Sequence, residues 1–318
     1  MTETTHMSDT LRGSFKMTAA MTISGTIGWF VVVSGQPVID VVFWRCFVGA
    51  LTLALVCATQ GLIRRDAMTW RQIALAALGG IAIVGNWLLL FAAYPRASIS
   101  IATAVYNTQP FMLVGLGALF LAERLTASKL AWLAVSFAGM LLIVEASPDH
   151  ADGANYVGGI ALALGAAFLY AIAAIVAKQL KGVRPHLIAL IQVSVGSVLL
   201  APLVHWNDLP TQPQTWALLG TLGVVHTGFM YILLYGAIQK LPTSLTGTLS
   251  FIYPIVAIAV DAFAFGHRLQ PYQFVGASAI LIAAAGMTLG WSWRMPPFAR
   301  QLERLRARRR EARECASH

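Results

Sequence analysis

Charge is scarce in this chain: Asp, Glu, Lys and Arg make up 11% of its 318 residues, against roughly 25% in soluble domains. A water-soluble fold of this length could not cover itself with so few polar groups, so lipid is the expected solvent. Cysteine is scarce as well. Cys46, Cys57 and Cys315 imply no disulfide framework, and Cys46 reads as a small packing residue inside an apolar stretch. Catalytic motifs are missing. The sequence holds no Gly-rich phosphate loop, no His-Glu-x-x-His, no Gly-x-Ser-x-Gly and no Cys/His spacing suited to a metal. No cofactor, no metal and no enzymatic activity are therefore expected. Asp261 has no second carboxylate at a matched position, which removes an intramembrane aspartyl dyad.

The net charge of +9 could suggest nucleic acid, but eight of the 22 Lys and Arg fall between Arg294 and Arg313. No aromatic-interleaved basic surface accompanies them. The excess reads as topology instead. Residues 292–318 form a basic tail suited to the anionic inner surface of a membrane.

What the chain has in quantity is apolar run: 58% of it is hydrophobic. Ten spans are read at 17–34, 38–59, 72–93, 97–121, 127–144, 157–177, 186–204, 216–238, 243–265 and 271–291. Each is near the ~20 residues a helix needs to cross ~30 Å of hydrocarbon. Helix is the expected form, because the backbone finds no water there and the runs are too continuous for barrel strands. Residues 1–16 are polar and read as a cytoplasmic N-terminus rather than a cleavable leader. With that end inside, Arg12, Lys16, Arg64, Arg65, Arg71, Arg124, Lys129, Lys178, Lys181, Arg184, Lys240 and the Arg tail gather on one side. Arg96 and Arg268 remain opposite them, with Glu145, Asp149, Asp152 and Asp208. The positive-inside rule then places both termini in the cytoplasm.

The chain also repeats itself. Pro110 meets Pro254 on a shift of 144 residues, and with no gap Arg96 meets Lys240, Ser100 meets Ser244 and Arg124-Leu125 meets Arg268-Leu269. Five spans per copy is an odd number, so the second copy must be inverted in the bilayer. The expected architecture is an all-α integral membrane protein with ten helices as two inverted five-helix repeats, 17–144 and 157–291, joined by an exterior polar linker at 145–156. Inverted repeats are how many transporters build one site that opens to either side.

Pro110 and Pro254 fall in mid-span at matched positions, where each removes a hydrogen bond and bends its helix; they are candidate hinge or gating residues, or packing kinks. Around them gather Asn86, Trp87, Thr103, Tyr106, Asn107 and Gln109 in the first copy. His226, Thr227, Tyr231, Tyr235, Thr246, Ser250 and Tyr253 answer in the second. Asn86, Trp87, Tyr106, Asn107, His226, Tyr231, Ser250 and Tyr253 are the candidate substrate contacts. Buried amides and hydroxyls need partners, which leaves two readings open: lining of a central cavity, or bonds across packed helices. Arg45 is expected to snorkel or to pair with Asp40 or Asp261. His226 suits either proton coupling or neutral packing.

This arrangement resembles the EamA-type branch of the drug/metabolite transporter superfamily. Arg45 stands early in the second span, and Tyr94 to Leu125 is similar to the family motif: a run of small residues, then Pro110, then Glu123-Arg124-Leu125. The second copy has Pro254 and His267-Arg268-Leu269, where His267 departs from the usual Glu. The resemblance implies a cavity walled by the third, fourth, eighth and ninth spans. Within the superfamily the chain looks most like bacterial amino-acid exporters, including those for aromatic amino acids. The expected function is export of amino acids or similar small metabolites across the inner membrane by alternating access; the alternatives are export of drugs, amines or other metabolites by the same superfamily and, less favoured, a membrane-embedded enzyme.

Overall fold

The computed structural model describes residues 2–64, 66–97, 102, 105–123, 125–143, 154–265 and 271–291. Among these every regular element is a helix, as the hydropathy requires. In the first half they are α1 (Thr2–Gly25), α2 (Ile27–Ser34), α3 (Val38–Thr59), α4 (Trp70–Ala97), α5 (Gln109–Leu121) and α6 (Ala127–Ile143). In the second they are α7 (Ala154–Gln179), α8 (Pro185–Leu200), α9 (Pro213–Gly223), α10 (Met230–Ile238), α11 (Thr243–Ser250), α12 (Ile252–Phe265) and α13 (Pro271–Thr288). A π-helical turn, Val224–Phe229, joins α9 to α10. Five continuous helical stretches are long and apolar enough to cross a membrane: Val38–Thr59, Trp70–Ala93, Tyr156–Gln179, Pro185–Leu203 and Pro213–Ile238. Shorter apolar helices stand at Gln109–Leu121, Ala127–Leu142, Thr243–Ala257 and Phe274–Thr288. Large apolar side chains such as Leu55, Val198, Phe263 and Val275 face outward, a surface that only lipid would cover favourably.

Packing partners recur when the halves are exchanged. Helix α4 lies on α7, and the stretch α9–α10 with its π turn, which the 144-residue shift places on α4, lies on α1. Likewise α4 packs on α8 while α9 packs on α3, and α5 packs on α7 while α11 and α12 pack on α1. Close approach rests on small residues. A Cβ added at Gly139 would stand 2.6 Å from the Gly276 carbonyl oxygen, so α6 and α13 meet backbone to backbone there. Cys46 is fully buried, consistent with a packing role.

The polar residues 2–16 form the first turns of α1. The reason is a buried stripe, Ser14, Met17, Met21 and Ser24, whose helical spacing runs back into the polar segment. Asp9 then accepts from Lys240 at 2.7 Å. One expectation needs correction: Pro110 and Pro254 do not bend continuous helices. The helix breaks at Asn107-Thr108 and again at Phe251, which are matched positions of the repeat. Both prolines then sit in the first turn of a new helix, where a missing N–H leaves no bond unmade. The Thr108 N–H returns to the Val105 carbonyl (3.0 Å) and the Phe251 N–H to that of Thr248 (3.3 Å), closing each end with a tight turn. Ser100, Thr103, Arg124, residues 145–153, His267, Arg268 and the tail lie outside the described residues, as does the side chain of Asp261.

Candidate functional site

The break in the helix of the first copy puts Tyr106 on the last turn before it, facing α4. There Asn86, fully buried, donates from Nδ2 to the Ala166 carbonyl of α7 (2.7 Å) and to the Tyr106 hydroxyl (3.3 Å). Tyr106 meets Tyr170 of α7 edge to face, with ring centroids 6.4 Å apart. One residue on, the Trp87 ring meets Tyr231 edge to face at 6.0 Å, and Tyr231 meets Tyr235 in the same way at 5.1 Å. The Tyr235 hydroxyl donates to Oε1 of Gln192 on α8. Asn86, Trp87, Tyr106 and Tyr231 thus come together, filling the space between the halves with one another.

Arg45 closes this cluster, and of the partners expected for it Asp40 is not the one and the side chain of Asp261 lies outside the described residues. Its guanidinium carbon sits 4.1 Å from the centroid of the Trp87 ring, a cation–π geometry. Nε donates to the Thr227 hydroxyl (2.9 Å) and Nη2 to the His226 carbonyl (3.4 Å). The residue is 3% exposed, so it does not snorkel. Among the described residues no carboxylate pairs with it. Asp40 is engaged elsewhere: it accepts from the His205 backbone N–H at 3.1 Å and lies 3.0 Å from the His205 Nδ1.

The π turn explains the geometry of Arg45's acceptors. A π turn widens the helix and leaves carbonyls off the usual ladder, which is why such turns recur at functional sites. Here it aims the Thr227 hydroxyl and the His226 carbonyl at Arg45. The fit is tight: a Cβ added at Gly49, one turn below Arg45, would lie 2.6 Å from the Thr227 methyl group. The His226 ring points the other way. Its Nε2 is 2.7 Å from the Thr26 hydroxyl and its ring packs on Phe30, so its side chain is not brought to the Trp87 cluster.

The remaining candidates divide. The Ser250 hydroxyl donates to the Thr246 carbonyl one turn earlier (2.8 Å), a bond within its own helix. Asn107 is buried at the break, and Tyr253 packs half-buried against the main core. Three buried amide atoms take no protein partner among the described residues: Asn86 Oδ1, Gln109 Oε1 and Gln192 Nε2. Those of Asn86 and Gln192 leave acceptor and donor capacity beside the aromatic cluster. Gln192 and Tyr170 were missed from sequence. Each was detectable as an isolated polar group in an apolar span.

A second polar knot ties the halves at one end of the bundle. Ala122 takes a left-handed conformation (φ 51°) after α5, which turns Glu123 across to α11. One Glu123 oxygen accepts from the Thr243 backbone N–H (2.9 Å) and hydroxyl (2.8 Å); the other pairs with Lys178 Nζ at 2.6 Å. Burial works to raise the Glu123 carboxyl, but the hydrogen bonds from Lys178 and Thr243 outweigh it and hold it below the ordinary value.

The profile of the EamA-like transporter family matches residues 11–145 and again 157–289. An uncharacterized transporter of Bacillus subtilis (strain 168), YxxF, is 28% identical over 275 residues, covering 86% of this chain and 88% of that protein. The threonine/homoserine exporter RhtA of Escherichia coli (strain K12) is 28% identical over 223 residues, 66% of this chain and 69% of its own. A probable amino-acid metabolite efflux pump of the same strain is 30% identical over 210 residues, 61% and 69% respectively. One crystal structure aligns at a TM-score of 0.75 over 89% of this chain and 96% of its own; at 19% identity it speaks to the fold alone.

Proposed function

Because the chain belongs to the EamA-like transporter family, we propose that it exports amino acids across a bacterial inner membrane by alternating access, with Arg45 as the anchor for the substrate carboxylate. The observation that carries this reading is the buried guanidinium over Trp87 with no carboxylate among its described partners. A charge at membrane depth costs at least ~2.5–3.5 kcal/mol, and a substrate carboxylate would offset that cost by a fork-shaped pair of hydrogen bonds. The rings of Trp87, Tyr106 and Tyr231 would accept an apolar or aromatic side chain. Asn86 Oδ1 offers an acceptor for the ammonium. An exporter of cationic drugs would want a carboxylate where this chain has Arg45.

Ten spans in two inverted copies, with both termini in the cytoplasm, are part of the proposal. The double match of the family profile, the exchanged packing pairs and the matched helix breaks support it. In this reading the breaks at Asn107-Thr108 and Phe251 are the hinges, and the prolines keep them from healing into continuous helix. Pro110→Ala and Pro254→Ala are each expected to slow transport by about tenfold while leaving folded protein in the membrane, since restoring one backbone hydrogen bond shifts an equilibrium by ~1–1.5 kcal/mol. Cysteine labelling from either face should show opposite biases for the two variants. Labelling and transport like the parent in both would make the breaks mere packing features. The function itself is tested by loading the purified protein into liposomes and following labelled threonine, homoserine and phenylalanine against a panel of competing metabolites. Saturable movement of an amino acid is expected. If no amino acid is carried or competes, the proposal falls.

A further inference from the structure

The guanidinium of Arg45 is a flat fork with more than one bonding edge, and the protein engages a single edge of it. Nε donates to the Thr227 hydroxyl at 2.9 Å and Nη2 to the His226 carbonyl at 3.4 Å. Those two nitrogens stand side by side. The edge formed by Nη1 and the outer hydrogen of Nη2 takes no protein partner among the described residues, while Trp87 covers one face of the plane. Thr227 is fixed in its part. Its hydroxyl hydrogen goes to the Leu222 carbonyl at 2.9 Å, so toward Arg45 the oxygen can only accept. Its methyl group is seated where glycines let α3 and the π turn meet: a Cβ added at Gly49 would stand 2.6 Å from that methyl, and one at Gly223 would stand 2.4 Å from Val48 Cβ. That contact holds the methyl, and with it the hydroxyl, in place. Thr227 is fully buried, which keeps bulk water from the bond.

We propose that Thr227 is the positioning residue of the substrate site: by occupying the Nε side of Arg45 it turns the Nη1–Nη2 edge to the substrate, whose carboxylate is gripped end-on. This rests on the reading of Arg45 as the carboxylate anchor and adds how the anchor is aimed. An arginine left loose on its long stem loses rotamer freedom when a ligand binds. Holding Nε beforehand removes that cost and leaves one docking direction. The grip needs both oxygens of a planar, charged carboxylate. A methyl ester offers one carbonyl oxygen and no charge, so it gains little from the aim.

The test sets the parent beside Thr227→Val and Thr227→Ser in proteoliposomes, with KM and maximal rate read for an amino acid that the parent carries and inhibition read for its methyl ester. Valine keeps the methyl on Gly49 and removes only the acceptor. KM for the amino acid is expected to rise about tenfold, equivalent to ~1.4 kcal/mol, with the maximal rate little changed. Inhibition by the ester should move by less than about twofold, because a lost binding contact shows in the ligand that used it. Serine restores the hydroxyl and should bring KM back to within about threefold of the parent. Thr227→Ala, which sets no methyl against Nε, reads the same KM shift where the valine chain does not fold. Valine behaving like the parent overturns the proposal. So does a loss that falls on amino acid and ester alike, which marks a structural role, or a serine chain that is not rescued. A parent that does not favour the free acid over its ester overturns the carboxylate reading itself and this one with it; a parent that does, with valine unchanged, overturns this one alone.

Discussion

Arg45→Gln is expected to lower amino-acid transport on the order of 100-fold, because removing one partner of a buried, hydrogen-bonded charge pair costs ~2–5 kcal/mol. Arg45→Lys should recover only part of it. Lysine keeps the charge but loses the planar fork and the stacking on Trp87. Arg45 also holds the π turn through Thr227 and the His226 carbonyl, so a fall in rate alone would not separate anchoring from structure. Selectivity separates them. A loosened π turn slows every substrate alike, whereas a lost carboxylate anchor brings an amino acid and its methyl ester to the same rate. Transport in proteoliposomes, beside a gel-filtration check of the folded protein, reads both.

Glu123→Ala is the variant expected to cost most in stability. It removes the acceptor of the Thr243 N–H and hydroxyl and leaves the buried Lys178 ammonium without its counter-charge, with the Leu241 carbonyl as its remaining acceptor. Breaking a buried pair from one side costs ~3–5 kcal/mol. Because the folded carboxyl is held below its ordinary value near 4.5, its stabilisation is fully present above that value and is lost as pH falls through the depressed one. The gap in melting temperature between the parent and Glu123→Gln should therefore be wide at neutral pH and close in strong acid. A gap that is the same at both would show that the ionised carboxylate adds nothing.

Much of the fold was legible because hydrocarbon permits so few backbone solutions: a long apolar run with scattered Gly and Ser, such as Val38–Thr59, has little choice but helix. The helix breaks were less legible. A proline in an apolar run signals a bend or a new helix start equally well, and only the tight turns onto the Val105 and Thr248 carbonyls decide between them. The turns of α1 before Met17 hid behind their polarity, although Ser14, Met17 and Met21 already carried the helical spacing of a buried face.

The candidate site was half legible for a related reason. Sequence can say that Asn86, Trp87, Tyr106 and Tyr231 lie at similar depth, since depth follows position along a span. It cannot say which way a side chain turns. Arg45 was expected to snorkel or to meet Asp40 or Asp261 because charge seeks water or opposite charge, yet its acceptors among the described residues are a hydroxyl and a carbonyl exposed by a π turn. Nothing in the residues Val224 to Phe229 announces that turn. His226 was grouped with the cluster by depth alone, and the same wide turn sends its ring toward Thr26 and Phe30.

The central claim is that this transporter grips its substrate by the carboxylate. Counterflow in proteoliposomes tests it most directly: one amino acid that the protein carries is set against its own methyl ester and its decarboxylated amine, all three sharing a side chain. The free amino acid should compete fully, and the ester and the amine at least tenfold more weakly, the loss of one charge-assisted hydrogen-bonded contact of ~1.5–3 kcal/mol. Equal competition by all three would contradict the assignment of Arg45.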